Sequence, residues 1–190
     1  MPCAPTKTFP LQLDSPPNRH YYTPMQTQKT RLVLLLAPLL FCLHDLEEML
    51  RMPAFLGANA ERLPVLYANL TGAQFNLAIA ILTILTLAVA IPAARRLAPC
   101  TVMTLYAFIA GARLANVFVH LLQAVYFRSL TPGAYTALPV LLPTAIILLR
   151  TLRKENFITA RQLCAALIAG LPLHSLIAPL LLFTGWITSL

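Results

Sequence analysis

"RLVLLLAPLLFCLHDLEEMLR", residues 31–51, decides how this chain is read. Its first half is apolar enough to enter a bilayer, while its second half carries a histidine, three acids and an arginine. The chain holds only six Asp and Glu residues among 190, so Asp45, Glu47 and Glu48 are half of its negative charge. Either a membrane helix leaves the hydrocarbon at His44, or the charges face a protein interior. The rest of the sequence discriminates between these.

The composition is 58% hydrophobic and 11% charged, whereas an ordinary soluble domain has about 25% charged residues. The chain therefore reads as an integral membrane protein. A net charge of +8 would suggest nucleic acid in a soluble protein, but here the basic residues fall between apolar segments. Membrane topology accounts for them, and no nucleic-acid partner is expected. Residues 1–30 are polar and Pro-rich and carry too little apolar surface for a core, which predicts a flexible tail ahead of a membrane domain at 31–190. Lys29 and Arg31 before a short apolar run also resemble the start of a signal peptide, but no small-x-small cleavage pattern precedes "HDLEE". Cys3, Cys42, Cys100 and Cys164 are scattered without paired spacing and are expected to be structural and reduced.

About 20 apolar residues are needed to cross roughly 30 Å of hydrocarbon. Residues 75–94, 102–127, 134–152 and 163–190 meet that need, and 32–52 makes a fifth. Open-ended backbone in lipid must be helical, so the expected fold is an all-α polytopic bundle of about five transmembrane helices. With the N-terminus inside, Lys7, Arg19, Lys29, Arg31, Arg95, Arg96, Arg150, Arg153, Lys154 and Arg161 lie on the inner side. Only Arg51, Arg62 and Arg128 then lie outside, which predicts an N-in, C-out orientation.

The rise of about 1.5 Å per residue places His44 about 18 Å into the first helix and Glu47 and Glu48 about 23 Å in. Counted from Val102, Arg113, Asn116 and His120 lie at roughly 16, 21 and 27 Å. The first and third helices run the same way, so these groups share a level in the outer half. His44, Glu47, Glu48 and Arg51 also share one helix face by their spacing, as do Arg113, Asn116 and His120, whereas Asp45 is expected to point away. His174 can reach the lower edge of the same level. "TPGAYTA", residues 131–137, is placed to cap it, with Pro132 and Gly133 turning and Thr136 pointing its hydroxyl inward. The plain alternative is ion pairing of His44 and the glutamates with Arg113 and Arg51.

"HDLEE" (44–48), "NVFVH" (116–120) and "TPGAYTA", in that order, together with "QFNLAIA" leading into the second helix, resemble the HXXEE family of small multi-pass membrane proteins. That family also carries an Asn-Ala-x-x-His motif, here with Val117 in place of Ala. The resemblance covers roughly residues 32–190 and singles out His44, Glu47, Glu48, Asn116 and His120. It implies no particular activity.

Three chemistries fit these residues. His44, Glu48 and His120 can ligate one divalent ion, zinc or iron, and leave a position open. Glu47 would then be a general base, with Asn116 and Arg113 orienting the reacting groups, for hydrolysis or a related step on a lipidic substrate. Alternatively, the acids protonate a sterol- or isoprenoid-like substrate without metal, as an isomerase or cyclase would. A third possibility is a proton or metal-ion transporter. The expected partner in the first two cases is a membrane lipid or a hydrophobic small molecule.

Overall fold

A computed structural model describes residues 24–94, 100–176, 180–181 and 183–184, and among them there is no strand. Five long helices carry the chain: α1 (Pro24–Asn59), α2 (Gly72–Ala93), α3 (Cys100–Phe127), α4 (Ala134–Lys154) and α5 (Ala160–Ser175). Of these, α2, α3 and α4 are long and apolar enough to cross a membrane. At 36 residues α1 is the longest, but its charges separate it from those three.

Local sequence explains where the helices stop and start. Thr71 and Gln74 form a reciprocal capping box at the start of α2, and Thr159 and Gln162 form another at α5. In each, the threonine hydroxyl accepts from the glutamine N–H and the glutamine side chain accepts from the threonine N–H, so two orphan donors are satisfied. Asn156 ends α4 with φ 57, and the Phe157 N–H returns to the Leu152 carbonyl at 2.9 Å. Left-handed backbone at that position is a common way to terminate a helix, and asparagine tolerates it. Within α4 the turn Ala137–Leu141 is π-helical. Pro139 and Pro143 lack the N–H that regular rungs there would use, and the wider turn accommodates them.

The helices alternate in direction. Tyr106 Oη donates to the Leu34 carbonyl, and the Asn116 amide meets the His44 ring; both pairs are 72 residues apart. A constant offset means that α1 and α3 run parallel. Gln162 Nε2 donates to Thr104 Oγ1, and further along Gly111 lies against Ala166 and Gly170, so α5 is parallel to α3 as well. A Cβ on Gly111 would collide with the Ala166 carbonyl, and the two backbones touch because both sides are small. The opposite direction holds for α2, since Gly72 sits against Pro53 while Thr83 reaches back to Asp45.

On α1 the inward stripe is Leu34, Ala37, Phe41, His44, Asp45, Glu48 and Met52, all buried. The outward face is leucine at 35, 36, 39, 40, 43, 46 and 50, all exposed. Charge inside and leucine outside is the inverse of a soluble amphipathic helix, and it fits a helix surrounded by hydrocarbon. The opening stretch therefore does not spill into water at His44.

Several expectations change. Helix α1 begins at Pro24, so the last residues of the expected 1–30 tail are helical; residues 1–23 lie outside the described part. The fifth helix, expected over 163–190, starts at Ala160 and is continuous to Ser175. Cys42 and Cys164 are free, but Cys100 is disulfide-bonded, against the expectation that all four cysteines are reduced.

The largest departure is Asp45, which does not point away. Its two oxygens take the Arg113 guanidinium in a bidentate pair, and Thr83 Oγ1 donates to Oδ2 at 2.7 Å. One residue is only about 100° around a helix, and α1 packs against α2 and α4 and is bonded to α3 through side chains, so its buried face is wide enough to include Asp45 beside His44. Removing one member of a buried pair strands the other charge, which costs about 3–5 kcal/mol. Asp45→Ala and Arg113→Ala should each lower the thermal midpoint of the purified protein strongly, while the Asp45→Leu/Arg113→Met double variant should lose less than either single change.

Candidate metal centre

The site is assembled by α1, α3 and the turn that opens α4. Gly133 adopts φ 84, which glycine alone enters without strain, and a Cβ there would lie 2.6 Å from His120 Nε2. The turn can therefore lie directly on the His120 ring. Once there, it is tied down by Glu47: the Gly133 N–H donates to Oε1 at 3.0 Å, and Thr136 donates to Oε2 from its N–H at 2.9 Å and its hydroxyl at 2.6 Å. A carboxylate at the start of a helix is also favoured by the helix dipole.

The Thr136 hydroxyl has one proton, and Glu47 is its closest acceptor. Its oxygen then accepts from His44 Nδ1 at 2.8 Å, which fixes the His44 tautomer. Nε2 of His44 carries the lone pair, with the Asn116 amide nitrogen 2.9 Å away. Glu47, Thr136, His44 and Asn116 form one connected chain of hydrogen bonds across three helices. The expected inward hydroxyl of Thr136 and the expected meeting of His44 with Asn116 are both present.

Glu48 lies on the other side of His44. One of its oxygens is 3.9 Å from His44 Nε2 and the other is 3.3 Å from His120 Nε2. All three residues are buried, with His44 at 0%, His120 at 2% and Glu48 at 6% exposure. Neither ring nitrogen of His120 has a hydrogen-bond partner among the described residues. Burying such a group unpaired is costly. His120 Nε2 is near the Glu48 oxygen yet not aligned to bond it. One donor atom from each of His44, Glu48 and His120 lies within 4.8 Å of the others, so this group can hold a metal ion. Tetrahedral ligands about 2.0–2.1 Å from a zinc ion lie a little over 3 Å from one another, so small rotations close the set.

The other sequence-derived residues take different places. Arg113 is spent on Asp45 and bonds neither glutamate; Arg51 lies over the Tyr135 ring at 4.2 Å. The plain ion-pairing alternative is thus not the arrangement found. Glu47 has both oxygens engaged by the 133–136 turn rather than facing Glu48 across an open space. Asp45, Thr83 and Gly133 were not singled out by sequence as bonded partners of the site. His174, half-buried, stands with Glu48 and Asn116 where two cavities of about 640 and 570 Å³ meet.

Each charged hydrogen bond to Glu47 is worth about 1.5–3 kcal/mol. Glu47→Ala should raise amide hydrogen exchange at Gly133 and Thr136 by roughly tenfold or more, with little change at α2 amides, as read by mass spectrometry of peptides from each region.

No curated protein and no solved structure matches this chain. The family model described as "Protein of unknown function with HXXEE motif" matches residues 35–148, more than half of the sequence. The matched region runs from the inward stripe of α1 through His120 and the Glu47-bound turn into α4. This chain belongs to the HXXEE family.

Proposed function

We propose that the protein is a membrane-embedded, metal-dependent enzyme that carries out hydrolysis or a related step on a lipidic substrate. The observation that carries this reading is the buried His120, with both ring nitrogens unpartnered and Nε2 3.3 Å from Glu48. His44, Glu48 and His120 would be the ligands of zinc or iron, and the ion would supply Lewis acidity and an activated water.

The remaining side chains fit supporting roles. Thr136 accepts the His44 Nδ1 proton and passes the bond to Glu47, so the carboxylate acts on the His44 ring at one remove. Partners of this kind orient a ligating imidazole and raise its basicity. We therefore assign Glu47 to positioning His44 and the turn, in place of the general-base role that its sequence position suggested. With His44 Nε2 given to an ion, the Asn116 amide would be free to orient a substrate oxygen. Arg113 acts only through Asp45, by holding α1 against α3.

That same Asn116 bond favours a second reading, because it occupies the nitrogen an ion would use. Without metal, Glu48 and His120 would share a proton for acid–base isomerisation or cyclisation. Transport is less well supported: apart from Glu48, Asn116, His174, Thr86 and the Asp45-paired Arg113, the second cavity is lined by apolar residues, which offer an ion no continuous set of ligands. We also propose that α1 and α5 span alongside the other three; the basic starts of α1 and α5 and the basic end of α4 favour the cytoplasmic side for that face, and the Cys100 disulfide at the start of α3 on the same face favours an oxidising one.

Purified protein should hold about one equivalent of zinc or iron. His120→Ala should lose it, and Thr136→Val should weaken binding by about 10–100-fold through the loss of ligand orientation. Elemental analysis with a competing chelator measures both. Metal-free protein that turns over its substrate unchanged would favour the acid–base reading.

A further inference from the structure

The two cavities beside the site differ in character. One lies towards the 60–70 segment and presents Arg62, Tyr67, Gln123 and Tyr126 along with apolar walls. The other lies between α2, α3 and α5 and is walled by residues such as Leu82, Leu105, Ile109 and Leu173, with Thr86 and Arg113, the latter paired to Asp45, as its polar additions. Their shared lining is Glu48, Asn116 and His174. A chamber with several polar groups on mainly apolar walls, an ionisable junction and a more uniformly apolar groove thus follow one another.

The groove walls Leu85, Leu105, Leu173 and Leu176 are exposed at 56, 50, 36 and 58%. Its rim is therefore continuous with the leucine-rich surface that suits hydrocarbon, and an entering molecule would come from the bilayer. Each cavity lies within the roughly 300–1,000 Å³ that accommodates one small ligand. The His174 side chain has no hydrogen bond or ion pair among the described residues, so it is available to a ligand at the junction.

We propose that the two cavities are a single binding path for a single-chain amphiphile, with its hydrocarbon chain in the groove between α2, α3 and α5 and its polar end in the chamber near Arg62 and Gln123. This rests on the enzymatic reading above and narrows its substrate class. The bond to be acted on lies where head and chain join, beside Glu48 and His174. The chain enters sideways from the bilayer, and a hydrocarbon product can leave by the same route.

A long-chain fatty acid bearing a diazirine near its methyl end is the probe. Full-length protein in lipid nanodiscs is irradiated with it, labelled residues are mapped by mass spectrometry, and metal content is read on the same samples. Label should concentrate on Leu82, Leu105, Ile109 and Leu173. Ala112→Trp or Ala169→Trp, which fill the groove, should reduce it roughly tenfold, and retained metal would show that each variant is folded. Label spread evenly over the outward leucines 35, 39, 43 and 50, unchanged by either tryptophan, would overturn the proposal. Groove labelling in protein that binds no metal supports the amphiphile site while contradicting the metal reading. Bound metal with no groove labelling does the reverse.

Discussion

The parallel register of α1 and α3 is the constraint on which the rest of the structure depends. It is held by Tyr106 on Leu34, by Arg113 on Asp45 and by Asn116 on His44, with Glu48 meeting His120 one turn further along. An ionisable group buried at bilayer depth costs about 2.5–3.5 kcal/mol even by lenient measures. A slip of α1 along α3 would break these contacts together and leave several buried charges unpaired. The polar stripe is expensive to bury, and that expense is what makes the register unique. Packing elsewhere is more permissive: α3 and α5 meet through Gly111, Ala166 and Gly170, where small residues let dispersion and close approach take over.

Three adjacent acids end with three different partners. Asp45 neutralises Arg113, Glu47 accepts from the turn at the start of α4, and Glu48 faces two histidines. The first two are satisfied by the protein itself and are structural in that sense. His120 is left without a hydrogen-bond partner among the described residues and lines one cavity, and Glu48 beside it lines both.

Much of this was legible in the sequence because helical geometry is regular. Spacing placed His44 and Glu48 on one face, the rise per residue put Asn116 and His120 at the same level, and Pro132-Gly133 marked the turn carrying Thr136. Asp45 was misplaced because spacing gives an angle but not the width of the buried face, and a helix packed on two neighbours and bonded to a third buries more than a single stripe. The role of Glu47 could not be read, since its partners are mostly backbone amides, which have no sequence signature. The capping boxes are different: "TGAQ" and "TARQ" carry the Thr-x-x-Gln pattern, and reading them would have placed the starts of α2 and α5 correctly. The long N-terminal extension of α1 was hidden because polar residues such as Gln26, Thr27 and Gln28 do not resemble a membrane span, although they are compatible with a helix continuing into water.

The central claim is that this register brings His44, Glu48 and His120 to one point in order to hold an ion. X-ray absorption at the zinc and iron edges of the purified protein tests it most directly. The account predicts a first shell of nitrogen and oxygen at about 2.0–2.1 Å, with the outer scattering of two imidazoles, reduced to one or lost in His120→Ala. A sulfur shell, an all-oxygen shell, or a spectrum unaltered by His120→Ala would contradict it.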